Sequence, residues 1–345
     1  MRYLRSSLLA AVVAALALAA AACGGDDDAS GAATTGGPSA EGPAITIGYS
    51  AWPGWFPLKV AEEKGFFAQA GVNVELRYFT DYIASLDAFT AGQLDGNTQT
   101  LNDTIAGMSA GAKAAIVVNT DFSAGNDAII VDRSIDSIAD LKGKTVAAEA
   151  GVVDHFLLLQ GLESEGLSEK DIDFRGVLTD AAAAGFAAGQ FDAVGVFAPF
   201  TLEALKRPGS KVLFDSADFP GSISDHIVLS SDLVAERPDD VQRIVDAWYA
   251  TLDWIAANPD EAREIMAAQA GITAADYASF AEGTRLLDPD EALAAFTDDD
   301  KPTSLPSTAR KINPFLVSSG LTREEADVTG LFHPEFTQAH VAGAG

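Results

Sequence analysis

Extended apolar segments alternate with helix-forming ones along most of this chain, and that alternation restricts its fold more than any other feature. Residues 45–50 read as a strand, Pro57 stands at a helix start, and the apolar run through Val60, Ala61 and Phe66 is interrupted near its end by Gly65. A strand over 72–79 leads into a helix over 82–91. A second series follows, with strands over 128–131, 145–149 and 193–197, a short helix over 138–141 and a longer one over 153–165. Strand, helix, strand, helix is the rhythm of an α/β fold with mostly parallel sheets flanked by helices. After a strand over 226–230 the chain turns almost wholly helical. Pro238 sits in a first helical turn, Val241, Ile244, Val245, Trp248, Leu252 and Ile255 share one face, and Asn258-Pro259 closes the helix.

A sequence echo suggests two lobes of similar construction. Phe89-Thr-Ala-Gly-Gln-Leu-Asp95 returns about a hundred residues later as Phe186-Ala-Ala-Gly-Gln-Phe-Asp192, each a helix end, a glycine cap, an Asp turn and a new strand. A length of 345 residues also favours two compact lobes over one. The expected division is residues 44–127 plus 226–345 in one lobe and 128–225 in the other, joined by two crossings. Ligands of open α/β sheets lie beyond the carboxyl ends of the strands, and paired lobes set two such ends face to face.

The N-terminus reads as an address. Arg2 and Arg5 precede an apolar run over 8–22 that ends in small residues before Cys23. With Gly24, Gly25 and Asp26 behind it, Cys23 looks like the lipidated residue of a bacterial lipoprotein, although Ala20 stands where such signals usually carry Leu. The run is shorter than the ~20 residues a membrane span needs. Residues 1–22 are then a cleaved signal peptide, and 23–43, rich in Gly, Ala, Ser, Thr, Pro and Asp, a lipidated Cys23 with a flexible tether. An ordinary secreted protein with an unused thiol is the alternative. Either way the mature protein stands outside the cell membrane, and in the lipoprotein reading it touches the membrane only through the lipid on Cys23.

Charge and cysteine content exclude several functions. Fifty Asp and Glu against 22 Lys and Arg leave −28, a field that repels phosphate backbones, so no nucleic-acid partner is expected. One cysteine makes neither an internal disulfide nor a multi-thiolate metal site. His155 and His226 each follow an Asp, yet the four histidines show no ligand spacing, and neither a metal nor a cofactor is expected. Without a Gly-x-Ser-x-Gly elbow or a phosphate loop, the chain does not read as an enzyme.

Several motifs occur together in a telling order: Ile47-Gly-Tyr49, Ala61-Glu-Glu-Lys-Gly-Phe-Phe67, Ala91-Gly-Gln-Leu-Asp95, Ile138-Ala-Asp-Leu-Lys-Gly-Lys144 and Ala188-Gly-Gln-Phe-Asp192-Ala-Val. As a set they resemble the solute-binding proteins of ABC importers in the nitrate, sulfonate and taurine group, over nearly all of residues 44–285. The resemblance implies a two-lobed periplasmic-binding-protein fold of type II. It further implies a monomer that closes by a hinge motion on a small-molecule solute and delivers it to an ABC permease and its ATPase. It extends to thiamine-pyrimidine precursor binders and a related enzyme, whose cysteine-rich segment is missing here.

The loops at the strand ends supply the candidate ligand-binding residues: Ser50, Trp52 and Trp55; Asp81 and Tyr82; Asn97, Gln99, Asn102 and Asp103; Glu149, Asp154 and His155; Phe197; and Asp225. None of these loops carries Lys or Arg. Nitrate or a sulfonate calls for donors from Arg or helix N-termini, and several carboxylates around an anion repel it. Aromatic faces and carboxylates suit a cation, and a carboxylate takes a guanidinium through two parallel hydrogen bonds. The expected cargo is a small cationic or polar solute, guanidinium-like in preference, with a sulfonate, taurine or nitrate anion and a thiamine precursor as alternatives. Tyr49-Ser-Ala-Trp-Pro-Gly-Trp-Phe56, the stretch 97–103 and Val153-Asp-His-Phe156 also resemble a cyanobacterial-type branch associated with guanidine uptake. Structural roles compete: Asp81 can cap a helix, Asp154 can sit in a first turn for the dipole, and Asn102 and Asp103 can bond only to backbone.

Overall fold

The computed structural model describes residues 41–343. Two mixed sheets organise it. The strands are β1 (Glu41–Tyr49), β2 (Val72–Tyr78), β3 (Gly96–Thr100), β4 (Ala114–Ser123), β5 (Asp127–Val131), β6 (Thr145–Ala148), β7 (Asp173–Gly176), β8 (Ala193–Phe197), β9 (Lys211–Asp215), β10 (Ser224–Ser230) and β11 (Thr284–Leu286). The first sheet runs β2-β1-β3-β10-β4-β11 and the second β7-β6-β8-β5-β9. In each, three parallel strands meet an antiparallel partner that returns from the other sheet: β10 beside β3, and β5 beside β8. The chain crosses between sheets at 124–126 and 216–223.

The echoed motif does the same work in both sheets. Asp95, just before β3, accepts a hydrogen bond from the Thr46 N–H of β1 at 2.8 Å and returns its own N–H to the Thr46 carbonyl at 2.9 Å. Asp192, just before β8, repeats both bonds with Thr145 of β6 at 2.9 Å each. Gly92 and Gly189 take the left-handed conformation that ends each preceding helix, at φ 69° and 80°.

Helices cover the sheets as the periodicity predicts. Val241, Ile244, Val245 and Trp248 of the Pro238–Ala257 helix are buried, with Leu252 and Ile255 half-buried beyond them. The Val153–Ser164 helix is buried nearly all round, packing on β5 and β8 and setting Phe156 edge-on to Phe315 of the Leu305–Ser318 helix, centroids 5.4 Å apart. Four strands left no pattern in the sequence. β4 is buried on both faces, so it lacks alternation, while β7, β9 and β11 are short and lie at sheet edges or near them. β11 also interrupts a tail expected to be helical.

The signal peptide, Cys23 and most of the tether lie outside the described residues. Residues 41–43, expected in the tether, instead begin β1: Arg237 and Asn73 donate to the Pro43 and Gly42 carbonyls at 3.0 and 3.3 Å. Among the described residues, no helix is long and apolar enough to cross a membrane.

Candidate functional site

The carboxyl ends of β1, β3 and β8 converge with the starts of β5 and β10 where the chain crosses between sheets. Antiparallel return produces this arrangement. Asp225, at the start of β10, lies between Thr100 at the end of β3 and Asp121 near the end of β4, and Asp127, first in β5, pairs with Phe197, last in β8. Trp52, Trp55 and Tyr82 close over these residues, and Val153 enters from the start of its helix. The enclosed chamber has about 10 Å³ open to the centre of a water molecule, room for roughly one water.

Four rings form its wall as a closed circuit. Trp52 and Trp55 lie 6.4 Å apart, Trp55 and Tyr82 5.4 Å, Tyr82 and Phe197 6.2 Å, and Phe197 and Trp52 6.5 Å between centroids. The Trp52-Pro-Gly-Trp55 turn is fixed from behind. The Trp55 N–H bonds the Trp52 carbonyl at 3.0 Å, and the Tyr277 hydroxyl donates to the Pro53 carbonyl at 2.9 Å. Gly54 has no alternative here, because a Cβ on it would strike the Asp121 carboxylate.

Two of the wall's three side-chain donors are engaged by acids behind it. Trp52 Nε1 donates to Asp121 Oδ1 at 3.0 Å, and Tyr82 and Thr100 both donate to Asp103 Oδ2, at 2.9 and 2.8 Å. Asn102 Nδ2 completes Asp103 at 2.8 Å. Trp55 Nε1 is unpaired, and so are Asp127 Oδ2 and Asp225 Oδ2. Asp127 and Asp225 are only 2% and 1% exposed. No Lys or Arg is buried anywhere among the described residues.

Buried carboxyls without a basic partner hold protons. Burial pushes Asp103, Asp121 and Asp127 up to about 7, against the donors that bond Asp103 and Asp121. Asp225 is held well above the carboxylate range by burial and by the charges of Asp121, Asp127 and Asp103. Asp121 and Asp225 stand directly opposite in neighbouring strands, so the charge of Asp121 is among the causes that raise Asp225. Thr179 Oγ1 stands between two acids, 2.7 Å from Glu149 Oε2 and 2.9 Å from Asp154 Oδ2, and has one hydrogen to donate. Burial raises both of those acids too, Asp154 the more strongly.

A larger vestibule of about 260 Å³ adjoins the chamber and shares Tyr82 and Phe197 with it. Ser50, Asp81, Glu149 and Thr179 line it, with Asp180 at its edge. Asp81 also caps the Tyr82–Thr90 helix through the Ala84 N–H.

The structure therefore gathers Trp52, Trp55, Tyr82, Phe197 and Asp225 on the inner chamber and Ser50, Asp81 and Glu149 on the vestibule. Asp103, Asn102 and Asp154 stand one layer behind. Three candidates point elsewhere. Asn97 and Gln99 share one face of β3, where Asn97 bonds Ser85 and Gln99 at 3.2 Å and Gln99 bonds Thr104 at 2.9 Å, beneath the helices rather than in the chamber. His155 follows Asp154 round the helix and turns away, stacked on Phe174 at 4.1 Å with Nε2 at 2.7 Å from Glu169. Asp127, Asp121 and Thr179 are positions that the loop-by-loop reading did not reach, and Thr100 lies in the stretch 97–103 without being among the candidates. The available signal was an acid at the end of the apolar run 114–118 and another opening the next strand.

Comparison with known proteins bears on the whole arrangement. The taurine-binding periplasmic protein of Escherichia coli (strain K12) is 26% identical over 70% of this chain and 78% of its own. The alkanesulfonate-binding protein SsuA of Xanthomonas axonopodis pv. citri, solved with MOPS bound, superposes with a TM-score of 0.72 at 18% identity, covering 86% of this chain and 99% of that one. The periplasmic aliphatic sulphonate binding protein SsuA of Escherichia coli gives a TM-score of 0.70 at 20% identity, over 86% and 100%. The fold is thus the two-lobed α/β fold of periplasmic binding proteins. The sequence profile of the NMT1/THI5-like family matches residues 52–262, and the chain belongs to that family.

Proposed function

We propose that this protein is the extracytoplasmic solute-binding component of an ABC importer, and that its cargo is a small organic cation, guanidinium-like in preference. Lobes over 44–127 plus 226–345 and over 128–225 hinge at the two crossings, and the loaded monomer is read by a permease and its ATPase. Cys23 anchors it through a lipid. Nothing in this role requires catalysis. The similarity to taurine- and sulfonate-binding periplasmic proteins supports the transport role, and the N-terminal sequence supports the anchor.

One observation carries the choice of cargo: two buried carboxyls, Asp127 and Asp225, present unpaired oxygens inside a circuit of four rings, with no basic side chain buried nearby. A cation that brings N–H donors satisfies both oxygens and sits against the ring faces, an attraction of ~2 kcal/mol when desolvated. An anion there meets one unpaired side-chain donor, Trp55 Nε1. The small chamber favours a compact group, admitted as the walls part about the hinge. Taurine is a second reading, supported by the relative of that name; its ammonium end suits the chamber and its sulfonate does not.

Thermal unfolding with millimolar guanidinium, methylammonium, taurine and nitrate decides among these. At a hundred times its dissociation constant a ligand stabilises by ~2.7 kcal/mol. Guanidinium or methylammonium is expected to raise the midpoint, and Trp52→Ala and Asp225→Asn are expected to lose the response. A rise with taurine or nitrate and none with either cation overturns the assignment of cargo and leaves the transport role intact.

A further inference from the structure

The vestibule repeats the chemistry of the chamber behind it. Three carboxyl groups reach it, from Asp81, Glu149 and Asp180, together with the rings of Tyr82, Phe197 and Phe200, and no Lys or Arg lines it. Its polar lining is only partly satisfied: Ser50 Oγ, in a residue 1% exposed, has no partner, and the Thr179 hydroxyl has one hydrogen for both Glu149 and the Asp154 behind it. An ammonium group brings three N–H donors to such a place. The two spaces meet at Tyr82 and Phe197, whose centroids lie 6.2 Å apart edge to face, so an alkyl chain running from one space to the other lies along two aromatic surfaces.

We infer that the vestibule is a second cation subsite, so that the cleft takes an extended solute with a positive group at each end, of the α,ω-diamine or guanidino-amine class. This rests on the cation reading of the inner chamber. One head lies between Asp127 and Asp225, the second meets Glu149 and Asp180, and the aromatic pair holds the chain between them.

Calorimetric titration of the purified protein with α,ω-diamines from ethane to hexane, each against the monoamine of equal length, tests the inference. One chain length is expected to bind at least ~10-fold tighter than its monoamine. Glu149→Gln is expected to cut that ratio to about threefold or less. Asp180→Asn, at an exposed side chain outside the buried network, is expected to lower it too. Diamines binding no tighter than monoamines, or a ratio unchanged in both variants, overturns the second subsite while the inner cation site stands. Failure of every amine and of guanidinium to bind overturns both.

Discussion

The unliganded protein should lose stability as pH rises through neutrality, and Asp127 is the residue on which to show it. Its carboxyl moves from an ordinary 3.8 up to about 7, first through burial and then through the charges of Asp121, Asp103 and Asp215. The folded chain therefore keeps a proton that the unfolded chain has already released. Stability from this group is complete below pH ~4 and is lost as pH climbs through the folded value near 7. About two of the three pH units between 5 and 8 fall below that value, which at 1.36 kcal/mol per unit amounts to roughly 3 kcal/mol. Asp127→Asn removes the proton without removing the shape. Urea unfolding of parent and variant at pH 5 and pH 8, extrapolated to water, measures the difference. The parent should be the less stable at pH 8, and the variant should show a pH dependence weaker by at least that amount, since a neutral side chain also relieves Asp225 and Asp154. A parent that gains stability between pH 5 and 8, or a variant with the parent's slope, refutes the description of a buried, unpaired acid.

Two further substitutions probe the walls. Gly54→Ala places a methyl group where the Asp121 carboxylate stands and should cost ~1–3 kcal/mol in urea unfolding; an unchanged midpoint would mean that the turn and Asp121 are not in contact. Tyr82→Phe takes one of three donors from Asp103 and the acceptor from the Thr100 N–H, for a loss of ~1–3 kcal/mol; a fully stable variant would remove Asp103 from its place behind the wall.

Much of this arrangement could be read from the chain. Trp52-Pro-Gly-Trp55 announced a tight turn with rings on it, and the placement of Tyr82, Phe197 and Asp225 followed from strand ends. Asp121 and Asp127 escaped because β4 is apolar on both faces and gives no period to follow, so the acids around its end look like any solvated turn. Asn97 and Gln99 stand in β3 with their side chains bonded to Ser85 and Thr104 of the covering helices. Strand residues two apart point the same way, and only Thr100 at the end of β3 reaches the chamber. His155 misled for the corresponding helical reason: the residue after Asp154 is turned by about a quarter of the circle. The juxtapositions of Asp121 with Asp225, and of Glu149 with Asp154 about Thr179, depend on contacts between distant segments and have no local trace.

The matched Asp95 and Asp192 bonds have a mechanical consequence. Each ties the root of one central strand to its parallel neighbour at the end remote from the chamber, which under the proposed hinge motion keeps each sheet's chamber edge in shape. Compliance is left to the short connectors at 124–126 and 216–223, where Ser123 and Ser216 hydroxyls touch at 2.7 Å and Asn126 is moored to Phe280 and Thr284. A grip that releases its load without deforming its teeth can be reused, which is what repeated delivery from a single molecule demands.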